Sequence, residues 1–342
     1  MEQIDIVIPW VDDQDPLWRE ALRIYSGQFE EEACCFEKYY RDWETLLFVF
    51  RGIEKYMPWV GKIHFLTYGH LPKWLNTAHE KVNVVNHLDF FIRKETFPVF
   101  NSLAIEMNLP GIKGLSERFI YFNDDTLVLR EAPPERFFVD GRPVDCLIQD
   151  IPRGGFLYRK FRTNDTYANI VLNAVHPLNA VYPKRELLKK HPELFYHPTY
   201  PMADRWRNAL FNLSPSYTWI RPNHIPQPFL RSALMECHAL FPALVEETAR
   251  SKFRRYSDVS QYIYRYLTLV KGNFHPHYYD DAFCMVLSSY DRFVKELPQM
   301  DRRTFVCVND SQFLPPEDYK RIKPLLLKKM SNLLPDRSAY EK

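Results

Sequence analysis

Apolar residues along this chain come in short runs with two different spacings. Ile4 to Trp10 is a nearly unbroken apolar run closed by Pro9 and followed by Asp12-Asp13-Gln14-Asp15-Pro16, the pattern of a buried strand ending in an acidic loop. Trp43 to Tyr56 instead sets Leu46, Leu47, Phe50 and Ile53 at helical spacing, and Pro58 ends the element. Lys62 to Tyr68 reads as a second strand with Gly69 at its turn, Val82 to Val85 as a third and Phe119 to Phe122 as a fourth. Cys146 to Ile148 and Phe305 to Val308 add two more. Strands alternating with helices predict an α/β fold, a mostly parallel sheet covered by helices.

The middle of the chain loses this order. Arg153 to Arg162 is basic and aromatic, and Tyr196 to Pro222 is crowded with Pro, Tyr and Trp, so an irregular insertion is expected over about 150–222. Helical spacing returns from Leu230 through Ala249, Tyr256 to Val270 and Asp280 to Leu287. In Tyr319 to Leu334, Lys320, Arg321, Lys323, Lys328 and Lys329 alternate with Ile322, Leu325 to Leu327, Met330, Leu333 and Leu334. This is a basic amphipathic helix, expected first to pack its leucines on the body and second to touch an anionic membrane surface. The layout expected is a catalytic body over 1–318 and this basic segment over 319–342.

Length and charge narrow the class. The 342 residues suffice for one large α/β domain with an insertion. A net charge of +2 provides no basic face, so no nucleic-acid partner is expected. No apolar run reaches the roughly 18 residues of a membrane span, and Met1-Glu2-Gln3-Ile4-Asp5 lacks the parts of a signal peptide. Cys34, Cys35, Cys146, Cys237, Cys284 and Cys307 have no zinc spacing and read as reduced core residues, which suits the cytoplasm.

The chemistry sits at strand ends. Phe119-Ile120-Tyr121-Phe122 runs into Asn123-Asp124-Asp125, a carboxylate pair at the carboxyl end of a buried strand, where open α/β sheets bind ligands. Asp12 with Asp13, and Asp310 after Phe305 to Val308, fall at two other strand ends. On one rim these carboxylates would repel unless a hard divalent cation, Mg²⁺ or Mn²⁺, neutralised them; on separate rims they are ordinary turns. His224, in Asn223-His224-Ile225-Pro226-Gln227-Pro228-Phe229, is held in a proline-stiffened loop and is a candidate general base, or else a structural histidine. His70 and His87 follow predicted strands and could line the same rim, with His176 a weaker candidate. Arg254 and Arg255 form a cationic patch before a helix expected to be capped by Ser257, suited to a phosphate or simply solvated. Neither a P-loop nor GxGxxG occurs, so any nucleotide would be held by metal, Arg and loop groups.

Four stretches in order make the chain resemble the Stealth family, the hexose-1-phosphate transferases of bacterial capsule and cell-surface polysaccharide synthesis, which includes the catalytic subunit of the lysosomal-enzyme GlcNAc-1-phosphotransferase. The first is Ile4 to Asp15. The second runs from Arg41 through Arg51-Gly52-Ile53-Glu54-Lys55-Tyr56-Met57-Pro58-Trp59, Thr67 to Asn76 and Phe100-Asn101-Ser102-Leu103-Ala104-Ile105-Glu106 to Asn123-Asp124-Asp125. The third is His224 to Phe229 with Phe253-Arg254 and Ser257-Asp258, and the last is Val308-Asn309-Asp310. Two departures stand out. Asp13 replaces the usual Gly of the first motif, and Trp43-Glu44-Thr45-Leu46-Leu47 replaces a common Asn-Glu-Glu-Leu-Arg, losing an Arg.

The resemblance implies a Rossmann-like, GT-A-like core and transfer of sugar-1-phosphate from a UDP-hexose or UDP-N-acetylhexosamine to a glycan hydroxyl, with release of UMP. It implies His224, Arg254 and Asp125 as catalytic residues. Asp12, Asp13, Arg51, Asn101, Ser102 and Asp124 would line the donor pocket, and Asp125 with Asp310 would hold Mg²⁺ or Mn²⁺. The acceptor implied is a lipid-linked oligosaccharide or polysaccharide at the inner face of the cytoplasmic membrane, reached by peripheral contact. A metal-dependent glycosyltransferase releasing UDP and a non-catalytic carbohydrate-binding protein remain the other readings.

Overall fold

The computed structural model describes residues 2–12, 14–26, 41–153 and 166–342. Asp13, Cys34, Cys35 and most of the basic loop expected before Arg162 lie outside them. The strands are β1 (Ile4–Trp10), β2 (Ile63–Thr67), β3 (Val82–Asn86), β4 (Arg118–Tyr121), β5 (Thr126–Val128) and β6 (Phe138–Val139). They continue with β7 (Arg142–Asp145), β8 (Gln227–Leu230), β9 (His275–Pro276), β10 (Ala282–Leu287) and β11 (Phe305–Asp310). The main sheet has the order β3-β2-β1-β4-β8; two smaller sheets are β10-β11-β5 and β6-β7-β9.

β1 pairs in parallel with β2 on one side and β4 on the other. The chain therefore leaves β1 one way to build β2 and β3, then returns to the other side for β4. Such a switch in direction opens a crevice between the carboxyl ends of β1 and β4, the place where open α/β sheets hold ligands. The sheet divides two apolar cores by simple alternation. Val7, Leu66, Phe119 and Tyr121 face one core. Ile4, Ile6, Ile8, Phe65, Ile120 and Phe122 face the other. Asp5, on the Val7 face, is fully buried at the amino end of β1. Burial pushes its carboxyl up, but His64, Gln3 and the Lys62 and Ser116 amides outweigh burial and hold it below the carboxylate range.

Four helices before β4 matter here: α1 (Pro16–Ser26), α2 (Thr45–Tyr56), α3 (His87–Phe90) and α4 (Ser102–Met107). α2 lies directly on β5. A Cβ on Gly52 would stand 2.3 Å from the Val128 carbonyl oxygen, so only glycine permits this approach.

Three local expectations are corrected. Asp280 to Leu287, expected as helix, contains strand β10, because six consecutive non-polar residues beside β11 satisfy a strand as well as a buried helix. The strand expected at Cys146 to Ile148 lies earlier, at β7. The region read as irregular is largely helical, with helices Thr166–Val175, Leu178–Val181, Lys184–Lys190, Glu193–Tyr196 and Met202–Phe211. Pro177, Pro183, Pro192 and Pro201 are the N-cap residues of four of them. Prolines that look like breakers here start helices, since they cost nothing where no intrahelical amide bond is due. The C-terminal helix Pro316–Leu333 spends Ile322, Leu326 and Met330 on the core. No described helix is long and apolar enough to cross a membrane.

Candidate functional site

Asp12 follows β1, and Asn123, Asp124 and Asp125 follow β4, so the switch crevice brings them side by side. The Asp12 amide donates to His70 Nε2 at 2.7 Å, which places His70 on this rim as the pattern allowed. Nε2 accepts that bond and so carries no proton, and burial pushes the His70 pKa down against the pull of Asp15 and Asp12. His87 does not reach the rim. It is buried among Phe90, Phe91 and Phe97, and burial pushes it down to about 3. His176 is exposed just past the helix Thr166–Val175.

His224 arrives by topology. β8 runs antiparallel to β4 with Gln227 opposite Tyr121, so the residues just before β8 fall just beyond the end of β4. His224 Nε2 stands 3.5 Å from Asn123 Nδ2. β5 begins immediately after Asp125 and pairs antiparallel with β11, Thr126 opposite Cys307. Cys307 Sγ thereby sits 3.3 Å from Asp125 Oδ2, and Thr126 Oγ1 donates to Asp125 Oδ1 at 3.2 Å. The ligand atoms of Asp125, His224 and Cys307 all lie within 4.8 Å of one another.

Asp124 is the most strongly perturbed carboxyl of the crevice. Burial first, then Asp125, then Asp42, push its carboxyl up to about 8. Its backbone carbonyl accepts from Thr45 Oγ1 at 2.9 Å, tying the strand end to the start of α2. Asp310 is held differently. Arg41 Nε and one Nη donate to its two oxygens at 2.7 and 3.0 Å, and the same guanidinium donates to the Ser311 carbonyl at 2.8 Å. Burial still pushes the Asp310 carboxyl up, with Arg41 opposing. Strand alternation explains the split: Cys307 and Asp310 are three residues apart and leave β11 on opposite faces. Cys307 meets Asp125, while Asp310 meets Arg41.

Arg254 approaches by another route. The Asn101 side chain caps α4 through the Leu103 amide at 3.1 Å and donates to Asp258 Oδ2 at 2.8 Å. Asp258 also accepts from Ser251 Oγ and the Arg255 amide, both at 2.8 Å. This buried network fastens segment 251–258 to the start of α4 and sets the Arg254 guanidinium 2.8 Å from Ser102 Oγ. The helix after it begins at Tyr262 with Gln261 as N-cap, so Ser257 is not a cap. Arg51 is occupied elsewhere. It forks onto Glu341 at 2.8 and 2.9 Å and onto the Leu334 carbonyl, tying α2 to the C-terminal segment.

Of the residues expected in the site, the crevice gathers Asp12, Asp124, Asp125 and His224. Sequence reading missed Cys307, Arg41 and Asp258. Cys307 was detectable in principle, since it shares a strand with Asp310 and period-2 alternation assigns it the opposite face. Arg41 and Asp258 stood in the family stretches, but their roles could not be read there because their partners lie 269 and 157 residues away.

Comparison with known proteins adds an independent line. Residues 2–30 match the family profile of Stealth protein CR1, conserved region 1, and residues 39–144 that of Stealth protein CR2, conserved region 2. The chain is 30% identical over 349 residues to the capsular polysaccharide phosphotransferase WcwK of Streptococcus pneumoniae, covering 100% of this chain and 99% of that protein. It is likewise 30% identical over 346 residues to the receptor polysaccharide phosphotransferase WefC of Streptococcus oralis, covering 100% of both. Among solved structures, galactosyltransferase LgtC superposes with a TM-score of 0.40 at 12% identity over 96% of each chain, too loosely to carry chemistry across.

Proposed function

Because the chain belongs to the Stealth family, we infer that it is a polysaccharide phosphotransferase that moves sugar-1-phosphate from a UDP-hexose or UDP-N-acetylhexosamine to a hydroxyl of a growing cell-surface glycan. A phosphodiester forms and UMP leaves. The observation that carries this reading is the convergence of Asp125 and His224 at the switch crevice of a chain that aligns end to end with polysaccharide phosphotransferases.

In this reading the acceptor hydroxyl attacks the β-phosphorus, and His224 takes its proton. Asn123 stands beside the ring, 3.5 Å from its Nε2. Arg254 grips phosphoryl oxygens from the α4 side, with Ser102 and Asp12 lining the donor's share of the crevice and Asn101, its amide committed to Leu103 and Asp258, holding that segment in place. The carboxylates suit a hard divalent cation, Mg²⁺ or Mn²⁺: Asp124 and Asp125 stand side by side at the strand end with Asp42 near, a set of hard oxygen ligands. Asp125, with Asp124 beside it, would hold it; Asp310, expected as the second ligand, is instead paired with Arg41 on the other face of β11. When bound, the cation would supply neutralisation of the diphosphate. Such transfer depends on positioning and charge stabilisation, which these groups can provide. A lipid-linked acceptor at the cytoplasmic face of the membrane fits the exposed lysines of the C-terminal helix, whose apolar stripe is already buried.

The test is a nucleotide product assay. Full-length protein is incubated with UDP-sugars, Mg²⁺ or Mn²⁺ and a glycan acceptor, and the nucleotides are separated. Acceptor-dependent UMP, abolished by EDTA, is expected. UDP instead would identify a glycosyltransferase, and glycan binding without either product a non-catalytic protein.

A further inference from the structure

The third member of the Asp125 group is a thiol, and a hard cation has no use for it. Mg²⁺ takes oxygen ligands, whereas thiolate with imidazole and one carboxylate is a ligand set for Zn²⁺ and its thiophilic relatives. Asp125, His224 and Cys307 offer one carboxylate oxygen, one ring nitrogen and one sulfur, all within 4.8 Å of one another. Around a tetrahedral Zn²⁺, bonds of about 2.0–2.3 Å set ligand atoms roughly 3.3–3.8 Å apart. The 3.3 Å from Cys307 Sγ to Asp125 Oδ2 already matches that edge. Cys307 is buried on β11 and Asp125 leads directly into β5, so two of the ligands stand on paired strands. His224, on the half-buried loop before β8, is the one that can adjust.

We propose that these three residues form a site for a thiophilic divalent cation, Zn²⁺ above all, and that the ion bound there blocks transfer. Binding follows from the ligand geometry alone; the block rests on the role inferred above for His224. A ring nitrogen bonded to a metal has no lone pair left for the acceptor's proton, and Asp125 cannot serve a hard cation at the same time. Binding displaces the Cys307 proton to solvent, and the fourth ligand is water. The ion and the transfer step therefore compete for the same two side chains, His224 and Asp125. Zn²⁺ acts as an inhibitor that excess Mg²⁺ relieves only weakly, since Mg²⁺ cannot replace the sulfur contact. Cys284 provides an internal control. It lies opposite Cys307 on β10 and its free thiol is hydrogen-bonded to that of Cys307, yet it is not among the three convergent ligands.

Co²⁺ reports on the site directly, because a thiolate bound to Co²⁺ gives a near-ultraviolet charge-transfer band whether or not the enzyme turns over. The reduced full-length protein should show one equivalent of this band, removed by Zn²⁺. Cys307→Ser should abolish it and Cys284→Ser should keep it. His224→Ala should keep the band but weaken Co²⁺ binding at least about tenfold, which tests the site even if the Cys307 variant fails to fold. With excess Mg²⁺ and a UDP-sugar, Cys307→Ser should need at least about tenfold more Zn²⁺ for half-inhibition than the unaltered protein, whatever its own rate. No band, or a band lost with Cys284 and kept without Cys307, overturns the site. A normal band with turnover indifferent to Zn²⁺ overturns the block and His224 as base. A normal band with no sugar-phosphate transfer from any donor leaves the ion site standing and removes the proposed function instead.

Discussion

The strand ends at Asn123-Asp124-Asp125 and Asn309-Asp310 follow the same kind of apolar run, yet the fold surrounds them differently. At the first, two adjacent carboxylates share a crevice with Asp42 nearby, and Asp124 is pushed up to about 8. At the second, the single carboxylate is gripped by both arms of Arg41. One end is built to receive positive charge from outside, and the other already has it. A carboxylate after a strand is thus no guide to its own electrostatics; the partners brought by the rest of the chain decide that.

The comparison can be broken at its acidic end first. Asp125→Asn and His224→Ala should each lower UMP release by about 10²–10⁴ while circular dichroism remains native. Near-normal turnover in either would remove that residue from the mechanism. Arg41→Ala attacks the other end by leaving Asp310 without its counter-charge. It should cost about 3 kcal/mol of stability in thermal melts, and added Mg²⁺ should restore more of the melting temperature than it adds to the unaltered protein.

Gly52→Ala tests the scaffold common to both ends, since β5 links Asp125 to β11. The new Cβ must push α2 from the Val128 carbonyl, at a cost of about 1–3 kcal/mol. A pH-dependent effect, absent at low pH, concerns Glu106, buried behind the crevice and hydrogen-bonded to the Gln261 amide and Tyr121. Burial pushes its carboxyl from 4.5 up to about 7. Below pH 4.5 both folded and unfolded chains are protonated there. Between 4.5 and about 7 only the unfolded chain ionises, so this group erodes stability as pH rises across that window, by at most about 3 kcal/mol. Glu106→Gln should flatten the fall in melting temperature over that range; an unchanged slope would show that other groups cause it.

Much of the fold was legible because buried parallel strands announce themselves as apolar runs. β1, β2, β3 and β4 fall where Ile4 to Trp10, Lys62 to Tyr68, Val82 to Val85 and Phe119 to Phe122 placed them. β10 was misread because a short apolar run has no period to separate strand from helix. The helices after Thr166 were missed because proline marks a helix start as readily as a break. In the site, Asp125 and His224 were visible as residue types at strand boundaries. Arg51 looked like part of the same stretch but is turned to Glu341, a partner 290 positions away.

What the sequence alone determined is where strands end and which polar residues stand there, since both depend on neighbours along the chain. Which of those residues meet was decided only by tertiary structure. The reversal of connection at β1 put the end of β1, with Asp12, next to the end of β4, with Asp124, and the antiparallel entry of β8 carried His224 to Asn123. The register of β5 against β11 set Cys307, rather than Asp310, against Asp125. The physical reason is the two-residue period of a strand: one step in register exchanges its faces, and no local pattern records the register of a partner more than a hundred residues away.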